Sequence, residues 1–266
     1  MAVGKFTFYS SSLNRSTTFN IVLPNDMPPM MTEGNPNFDR QMKSMILLHG
    51  FSGMEDDWLN QGNAQEMASK YNMAIVTPNG YNSFYIDREA TGDAYGTFIG
   101  QELVEYCRKT FHLFESYEDS YIGGYSMGGF GALHVGLQFQ DTFSKIVALS
   151  SALIIHQIDG MKADAGFDGM ANYAYYREIF GDLNQVVASD YNPEVLISKL
   201  QASGERLPGI YMAIGTEDFL YENNQQFRRF LDDNQVDYTY EEAEGIHDFV
   251  FWNSFIDKGI NWILEG

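Results

Sequence analysis

Short apolar runs alternate with helical segments along most of this 266-residue chain. The runs are rich in Ile, Val, Leu and Met, which is typical of strands buried on both faces of a sheet. Strands of this kind that alternate with helices form a mostly parallel central sheet with helices on both faces. Predicted strands cover residues 45–48, 74–78, 120–124, 145–149 and 209–214, and predicted helices cover 64–71, 95–110, 128–138, 223–235 and 251–264. The sequence therefore predicts an α/β fold.

The remaining segments fit a single domain over residues 1–266, because no repeat, low-complexity tract or flexible linker divides the chain. Residues 5–9 and 17–23 predict two opening strands, and residues 237–242 predict another strand near the end. Residues 154–207 contain helical pieces and several tyrosines but no clear strand. We interpret them as a small cap insertion over the carboxyl edge of the sheet, where open α/β folds bind ligands. Ordinary packing helices are the alternative.

The formal net charge of −20 limits the partners that this chain can bind. Such a surface repels nucleic-acid phosphates and anionic lipid headgroups, so we expect neither nucleic-acid nor membrane binding. A small-molecule substrate and homo-oligomerisation stay open. The N-terminus has no signal-peptide pattern and no apolar run is long enough to span a bilayer, which favours a cytoplasmic protein. The single cysteine, Cys107, lies in an amphipathic helical pattern and is expected to be a packed thiol.

The motif Gly124-Tyr-Ser-Met-Gly128 matches G-x-S-x-G. The pentapeptide alone is a weak signal, but here it joins a predicted buried strand to a predicted helix. A turn of this kind lifts a serine hydroxyl clear of the sheet edge. It needs small neighbours, because the backbones of the strand and the helix pass close together. Gly124 and Gly128 provide that space, and we predict that Ser126 is a catalytic nucleophile.

A serine that attacks a carbonyl needs donors for the oxyanion that forms. The N–H of Met127 lies at the predicted helix start, where the helix dipole favours negative charge. Hydrolases with this elbow draw a second N–H from the loop after their third strand, usually near a His-Gly pair. Leu47-Leu-His-Gly-Phe-Ser-Gly53 provides that loop, so the N–H of Phe51 is the second predicted donor. His49 stands before a glycine at a strand end, where we expect it to order the loop.

The elbow also predicts the order of its partners, with the acid and then the histidine downstream of the serine. His247 lies in a glycine-containing loop between a predicted strand and the last helix, where the base is expected. The segment Gly215-Thr-Glu-Asp218 follows a buried strand and offers both Glu217 and Asp218 as the acid. We prefer Asp218 because of its position in the Gly-x-x-Asp loop. Asp248 is less suited, since a residue rarely reaches round to the Nδ1 atom of its own neighbour.

Side chains close to these positions in sequence are predicted to line the substrate pocket. They are His49, Ser52, Trp58, Tyr125 and Phe249, of which Trp58 could instead fill the core. The chain has five dispersed histidines, no His-Glu-x-x-His motif and no cysteine pair, so we predict no metal site. Acyl transfer through a serine proceeds without a cofactor, and none is expected.

These motifs resemble those of a known family. The stretch Tyr121-Ile-Gly-Gly-Tyr-Ser-Met-Gly-Gly-Phe-Gly-Ala-Leu133 is similar to the elbow of the esterase D-type family of α/β-hydrolases. Residues 49–53, Gly215-Thr-Glu-Asp218 and His247-Asp-Phe249 match in order and spacing, so the resemblance covers nearly the whole chain. The family includes S-formylglutathione hydrolases, tributyrin esterases, some feruloyl and acetyl-xylan esterases, and mycolyltransferases. The His-Gly-Phe-Ser-Gly loop looks most like that of the bacterial tributyrin esterases.

The resemblance implies the α/β-hydrolase fold and a serine carboxylesterase that hydrolyses short-chain acyl esters through an acyl-enzyme. Bulky residues near the nucleophile favour a closed pocket, which predicts a preference for acetyl to butyryl esters. S-formylglutathione hydrolases carry Ser-Gly-Leu-Thr-Cys in the loop where this chain has His49 and Gly53, which weakens the thioester alternative. A feruloyl (hydroxycinnamate) esterase, a thioesterase or acyltransferase, and a non-catalytic binding protein on a hydrolase fold are the alternatives.

Overall fold

The computed structural model describes residues 1–88 and 90–265, which form a central sheet of eight strands. The strands are β1 (Ala2–Ser10), β2 (Arg15–Leu23), β3 (Lys43–Leu48), β4 (Met73–Pro78), β5 (Ser120–Tyr125), β6 (Lys145–Leu149), β7 (Gly209–Gly215) and β8 (Thr239–Ala243). Their order across the sheet is β1-β2-β4-β3-β5-β6-β7-β8. The pairs β1–β2 and β2–β4 are antiparallel, and every neighbouring pair from β4 to β8 is parallel. The predicted mostly parallel sheet is therefore confirmed.

Helices connect the strands and cover both faces of the sheet. They are α1 (Pro29–Thr32), α2 (Asp57–Asn60), α3 (Ala64–Tyr71), α4 (Tyr95–Thr97), α5 (Leu103–Phe111), α6 (Met127–Gln138), α7 (Ile155–Ile158), α8 (Tyr173–Phe180), α9 (Pro193–Ser203), α10 (Tyr221–Asp233) and α11 (Phe249–Glu265). The single helix predicted over residues 95–110 is instead α4 and α5 joined by a π-helical segment, Phe98–Glu102. Residues 154–207 form helices and no strand, as their sequence indicates.

The core has two parts, because successive side chains of a strand point to opposite faces of the sheet. On β3, Ile46 and Leu48 pack into the cluster that includes the buried side of α6. Met45 and Leu47 pack into the opposite cluster, together with residues of α3 and α11. Near-complete burial of both faces explains why the central strands read as continuous apolar runs. Cys107 is buried in the first cluster, in agreement with the packed thiol expected there.

The sheet brings four loops to one edge, since the carboxyl ends of parallel strands lie side by side. The register pairs Leu48 at the end of β3 with Gly124 of β5, and Gly215 at the end of β7 with Ala243 of β8. The loops that leave these ends carry the His-Gly pair, the serine, the acid and the histidine identified in the sequence. In the described part of the chain, no helix is both long and apolar enough to cross a membrane.

Candidate active site

Ser126 forms the sharp turn between β5 and α6. Its backbone has φ 57° and ψ −121°, a conformation that costs a non-glycine residue about 1–3 kcal/mol. Neighbouring backbone groups hold the turn in place. The N–H of Ser126 donates to the carbonyl of Leu149 at 2.9 Å, and its carbonyl accepts from Ala152 at 2.9 Å and from Phe130 at 3.1 Å. Hydrogen bonds to β6, to the residues that follow it and to the first turn of α6 therefore hold Ser126 in its strained conformation.

Two glycines allow the loop after β3 to approach this turn. A Cβ atom on Gly128 would lie 2.6 Å from the carbonyl oxygen of His49, closer than real Cβ contacts allow. A Cβ atom on Gly50 would lie 3.2 Å from the Cβ atom of Ser126. The small residues required by the elbow motif thus bring the His-Gly loop against the serine.

His247 and Asp218 complete a chain of hydrogen bonds that begins at Ser126. Nε2 of His247 lies 2.9 Å from Ser126 Oγ, and Nδ1 lies 2.8 Å from Oδ2 of Asp218. An ionised carboxylate only accepts, so Nδ1 carries the proton and Nε2 is free to accept from the serine hydroxyl. The other oxygen of Asp218 accepts from the N–H of Leu220 at 2.9 Å, which fixes the carboxylate. The Asp218 side chain is fully buried, and that of His247 is 16% exposed.

The competing carboxylates serve the surrounding loops. Oε2 of Glu217 accepts from the N–H of Gly245 at 2.7 Å and so links the acid loop to the histidine loop. Asp248 accepts from the N–H of Phe251 at 3.0 Å, at the first turn of α11. Of the three carboxylates considered from the sequence, Asp218 is the one that the structure brings to His247.

Both predicted oxyanion donors are free to bind a ligand. Met127 is the first residue of α6, so its N–H has no acceptor within the helix. The N–H of Phe51 likewise donates to no other group of residues 1–88 and 90–265. The approach of Gly50 to Ser126 places the Phe51 loop beside the helix start. The arrangement can stabilise negative charge next to the serine hydroxyl.

A cavity of about 710 Å³ opens above Ser126 and His247. Residues 154–207 provide much of its wall, and their assignment as a cap insertion stays an interpretation. The lining residues are Phe51, Ser52, Ser126, Ile154, Gln157, Phe167, Asp168, Gly169, Met170, Tyr176, Phe219, Leu220 and His247. Ile154 and Leu220 are almost fully buried, whereas Phe167 and Phe219 are 70% and 68% exposed. The lining therefore combines buried aliphatic side chains with exposed aromatic ones.

Asp168 organises one side of this wall. Its Oδ1 accepts from the N–H groups of Met170 and Ala171, each at 2.9 Å, and its Oδ2 accepts from the hydroxyl of Tyr176 at 2.8 Å. Partial burial alone would raise the pKa of this carboxyl, but the hydrogen bonds outweigh it and lower the pKa. Asp168 is therefore an ionised residue that shapes the loop before α8.

The prediction of pocket residues needs correction at His49 and Trp58. His49 is 1% exposed and lies beneath the loop, where Nε2 accepts from Gly80 and Nδ1 contacts the carbonyl of Gly50. Trp58 is also 1% exposed and donates from Nε1 to the carbonyl of Leu48 at 3.0 Å. Neither side chain lines the cavity above Ser126. His49 is a loop-ordering residue, and Trp58 fills the core.

The other three predicted pocket residues divide between two cavities. Ser52 lines the cavity above Ser126. Tyr125 and Phe249 instead line a neighbouring cavity of about 400 Å³, which also contacts Ser52 and His247. Their rings pack on each other with centroids 4.9 Å apart, on the α11 side of the sheet. They are therefore not part of the wall around the serine hydroxyl.

Sequence reasoning missed the loop after β4, which supports the His-Gly loop. Oδ1 of Asn82 accepts from the N–H of Ser52 at 2.7 Å, and the hydroxyl of Tyr85 donates to the carbonyl of His49 at 2.9 Å. The hydroxyl of Tyr175 on α8 donates to the carbonyl of Asn82 at 2.6 Å. Its position in the chain could have indicated this role, because the loop leaves the carboxyl end of a parallel strand, where ligand sites form. Among the described residues, no group of three or more His, Cys, Asp or Glu could hold a metal ion.

Comparison with known proteins shows the family to which this chain is similar. The family described as "Putative esterase" matches residues 10–263. A protein of Caldicellulosiruptor saccharolyticus named acetyl esterase is 41% identical over 265 residues, covering 100% of this chain and 99% of that protein.

The chain belongs to this esterase family. Two solved structures from Staphylococcus aureus each cover 98% of this chain and of their own. Substrate-bound fluorophosphonate-binding serine hydrolase F superposes with a TM-score of 0.83 at 25% identity. The S-formylglutathione hydrolase apoenzyme superposes with a TM-score of 0.81 at 26% identity. The α/β-hydrolase fold expected from the sequence is confirmed, and family membership supports an esterase or hydrolase enzyme. The suggested closeness to tributyrin esterases stays a prediction.

Proposed function

We propose that this chain is a serine esterase in which Ser126 forms the acyl-enzyme. His247 accepts the hydroxyl proton of Ser126 as Oγ attacks the ester carbonyl, and Asp218 stabilises the imidazolium that results. The N–H groups of Phe51 and Met127 bind the oxyanion of the tetrahedral intermediate. His247 then returns the proton to the departing alcohol. Water attacks the acyl-enzyme in the same way and releases the acid.

The observation that carries the proposal is the unbroken chain of contacts from Ser126 Oγ through His247 to Asp218, at 2.9 and 2.8 Å. Its first member occupies a strained backbone conformation, and such strain is concentrated at functional sites. Two free N–H groups beside the serine supply the electrostatic part of the reaction. The similarity to a serine hydrolase of Staphylococcus aureus supports the same chemistry.

We further propose that the acyl group is short, with acetyl esters among the substrates. The 41% identity to an acetyl esterase supports this choice. The closed pocket was predicted from the bulky residues Phe51, Met127 and Phe249 near the nucleophile. Of these, Phe51 lines the cavity above Ser126, whereas Met127 and Phe249 do not and so give no support. The buried side chains of Ile154 and Leu220 do line that cavity and offer an apolar surface. A short acyl group would pack against these two side chains.

A hydroxycinnamate ester is the second candidate. Four aromatic residues line the cavity of about 710 Å³, namely Phe51, Phe167, Tyr176 and Phe219. Aromatic rings gain from edge-to-face or offset contact with another ring. A phenolic acyl group would therefore find partners along this wall.

Hydrolysis rates of p-nitrophenyl esters of increasing acyl length, measured beside methyl ferulate, test the choice of substrate. We expect kcat/KM to be highest between acetyl and butyryl and to fall steeply by octanoyl. Each methylene that fits adds up to about 0.8 kcal/mol of transfer free energy, and the first that meets packed side chains loses that gain to strain. An optimum at octanoyl would contradict the short-acyl proposal, and faster turnover of methyl ferulate would favour the second candidate.

A further inference from the structure

His49 lies directly behind one of the two oxyanion donors. Its Nδ1 is 2.7 Å from the carbonyl oxygen of Gly50. That carbonyl and the N–H of Phe51 belong to the same peptide group, which is planar and points the two bonds in opposite directions. A hydrogen bond that fixes the Gly50 oxygen therefore also fixes the direction of the Phe51 N–H.

We infer that His49 is a positioning residue that aims the Phe51 N–H at the oxyanion, an inference that rests on the proposed function. The hydrogen bond from Nδ1 also polarises the peptide group, because linked hydrogen bonds strengthen one another. The Phe51 N–H becomes a better donor as a result. His49 acts through this peptide group and not on the substrate, since its side chain does not line the cavity.

The surroundings of His49 allow one tautomer. Nε2 lies 2.9 Å from the backbone nitrogen of Gly80, and an N–H can only donate, so Nε2 accepts. The ring proton of the neutral imidazole is then on Nδ1, where the Gly50 carbonyl is an acceptor. A charged imidazolium would present a second N–H to that of Gly80. Burial also lowers the pKa of His49, which keeps the ring neutral.

Other hydrogen bonds hold the His-Gly loop in place, so the bond from Nδ1 of His49 mainly orients the Gly50–Phe51 peptide group. The carbonyl of His49 accepts from the Tyr85 hydroxyl at 2.9 Å, and the N–H of Ser52 donates to Asn82 at 2.7 Å. The Gly50 oxygen accepts a second, longer bond from the N–H of Gly53 at 3.1 Å. Loss of the Nδ1 bond should therefore leave the fold intact while the Gly50–Phe51 peptide tilts.

Two amide variants separate the two hydrogen bonds of the ring. In His49→Asn, the side-chain nitrogen stands as many bonds from Cβ as Nδ1 does, so it can still donate to Gly50 while the bond from Gly80 is lost. In His49→Gln, the side-chain oxygen reaches the position of Nε2, so it can accept from Gly80 while the bond to Gly50 is lost. Both variants bury an amide and lose one hydrogen bond, which makes each the structural control of the other.

The measurements are kcat/KM for p-nitrophenyl acetate, the inhibition constant of a trifluoromethyl ketone, and the melting temperature. The ketone forms a tetrahedral adduct with an oxyanion, so its affinity depends on the same donors. Removing an oxyanion donor outright costs about 100- to 1,000-fold in kcat. We expect His49→Gln to lose about 10- to 100-fold in both kcat/KM and ketone affinity, a part of that full effect. His49→Asn should stay close to the wild type.

Equal losses in the two variants, or losses that follow the melting temperature and spare ketone affinity, would overturn the role of His49. A ¹⁵N spectrum of the histidines gives a second readout that does not depend on activity. His247 also carries its proton on Nδ1, so we expect at least two neutral rings of this tautomer, of which the His49 signal alone vanishes in both variants. A protonated Nε2 on His49 would also overturn the inference. A wild-type protein that neither hydrolyses the ester nor binds the ketone would instead contradict the proposed function, and this role of His49 with it.

Discussion

Under the proposed function, the reactivity of Ser126 depends on which nitrogen of His247 carries the proton. Asp218 accepts from Nδ1 of His247 and thereby leaves Nε2 as the acceptor for the serine proton. The same carboxylate is held by the N–H of Leu220, so the imidazole is oriented from behind. Glu217 is adjacent in sequence but bonds to the Gly245 backbone, which gives a matched pair of acidic side chains with different tasks.

Substitutions of these residues should separate their roles. We expect Ser126→Ala and His247→Ala to lower kcat by about 10⁴-fold or more, because the nucleophile and base act as a unit. Asp218→Asn should cost about 10⁴-fold or somewhat less through loss of the correct tautomer. Glu217→Gln should retain most of the activity. Steady-state kinetics with p-nitrophenyl acetate test this order, with circular dichroism to check folding. A crippled Glu217→Gln beside a mildly affected Asp218→Asn would show that the acid is wrongly assigned.

At the scale of elements, the site depends on how closely α6 packs against β3. Gly128 in the first turn faces the backbone at the end of β3, where nothing can move away from an added methyl group. Gly136, in the last part of the same helix, faces the side chain of Ile146, with the nearest atom 2.6 Å from a built Cβ. Both Cδ1 and Cγ1 of Ile146 lie at this distance, so the Ile146 side chain would have to shift, whereas at Gly128 the backbone itself would have to move. Gly128 therefore allows the close approach of α6 to the backbone after β3, whereas Gly136 makes room for a core side chain.

Alanine at these two positions should have unequal effects. Gly128→Ala should destabilise the fold by about 1–3 kcal/mol through overpacking and displace the His-Gly loop from Ser126. Gly136→Ala should cost less stability, because the gain of about 1 kcal/mol in helix propensity offsets part of the shift of Ile146, and it should leave kcat/KM near the wild-type value because Gly136 does not face the His-Gly loop. Urea denaturation and kcat/KM measure the two consequences. Similar stability and activity in both variants would contradict the close approach of α6 and β3.

Most elements could be predicted from the sequence because their signals are local. Buried strands read as apolar runs. The G-x-S-x-G motif with the order of its partners predicted Ser126, Asp218 and His247, and the structure brings these three side chains into hydrogen-bonding contact. The pocket could not be predicted from neighbours in sequence, since adjacent residues of a strand point to opposite faces. Tyr125 precedes Ser126 but packs on the α11 side of the sheet. The wall of the cavity above Ser126 depends on how residues 154–207 pack against the sheet edge, and such long-range packing has no local sequence signal.

For the molecule as a whole, the buried His134 is one of the groups that link stability to pH. His134 on α6 is 3% exposed, and its Nδ1 has no hydrogen-bond partner among the described residues. Burial lowers its pKa from the ordinary 6.5 to about 4. Between these values the unfolded chain binds a proton that the native chain does not bind. The free energy of unfolding therefore falls as the pH drops through this window.

His134 should change the free energy of unfolding by at most about 3 kcal/mol, which is the free-energy equivalent of the difference between its two pKa values. We expect His134→Gln to flatten the decline of unfolding free energy between about pH 6.5 and 4, as measured by urea denaturation. His112→Asn is the control, because this histidine is 81% exposed and asparagine tolerates its left-handed backbone. An unchanged pH dependence in His134→Gln would show that the buried ring does not govern acid stability.

The central claim, that Ser126 is the nucleophile, is tested most directly with a fluorophosphonate probe. Ser126 Oγ would attack phosphorus and displace fluoride, while His247 takes the hydroxyl proton. We predict that mass spectrometry of the intact wild-type chain shows one probe per chain, that peptide mapping places it on Ser126, and that Ser126→Ala remains unmodified. A probe attached to another residue, or equal modification of wild type and Ser126→Ala, would contradict the account.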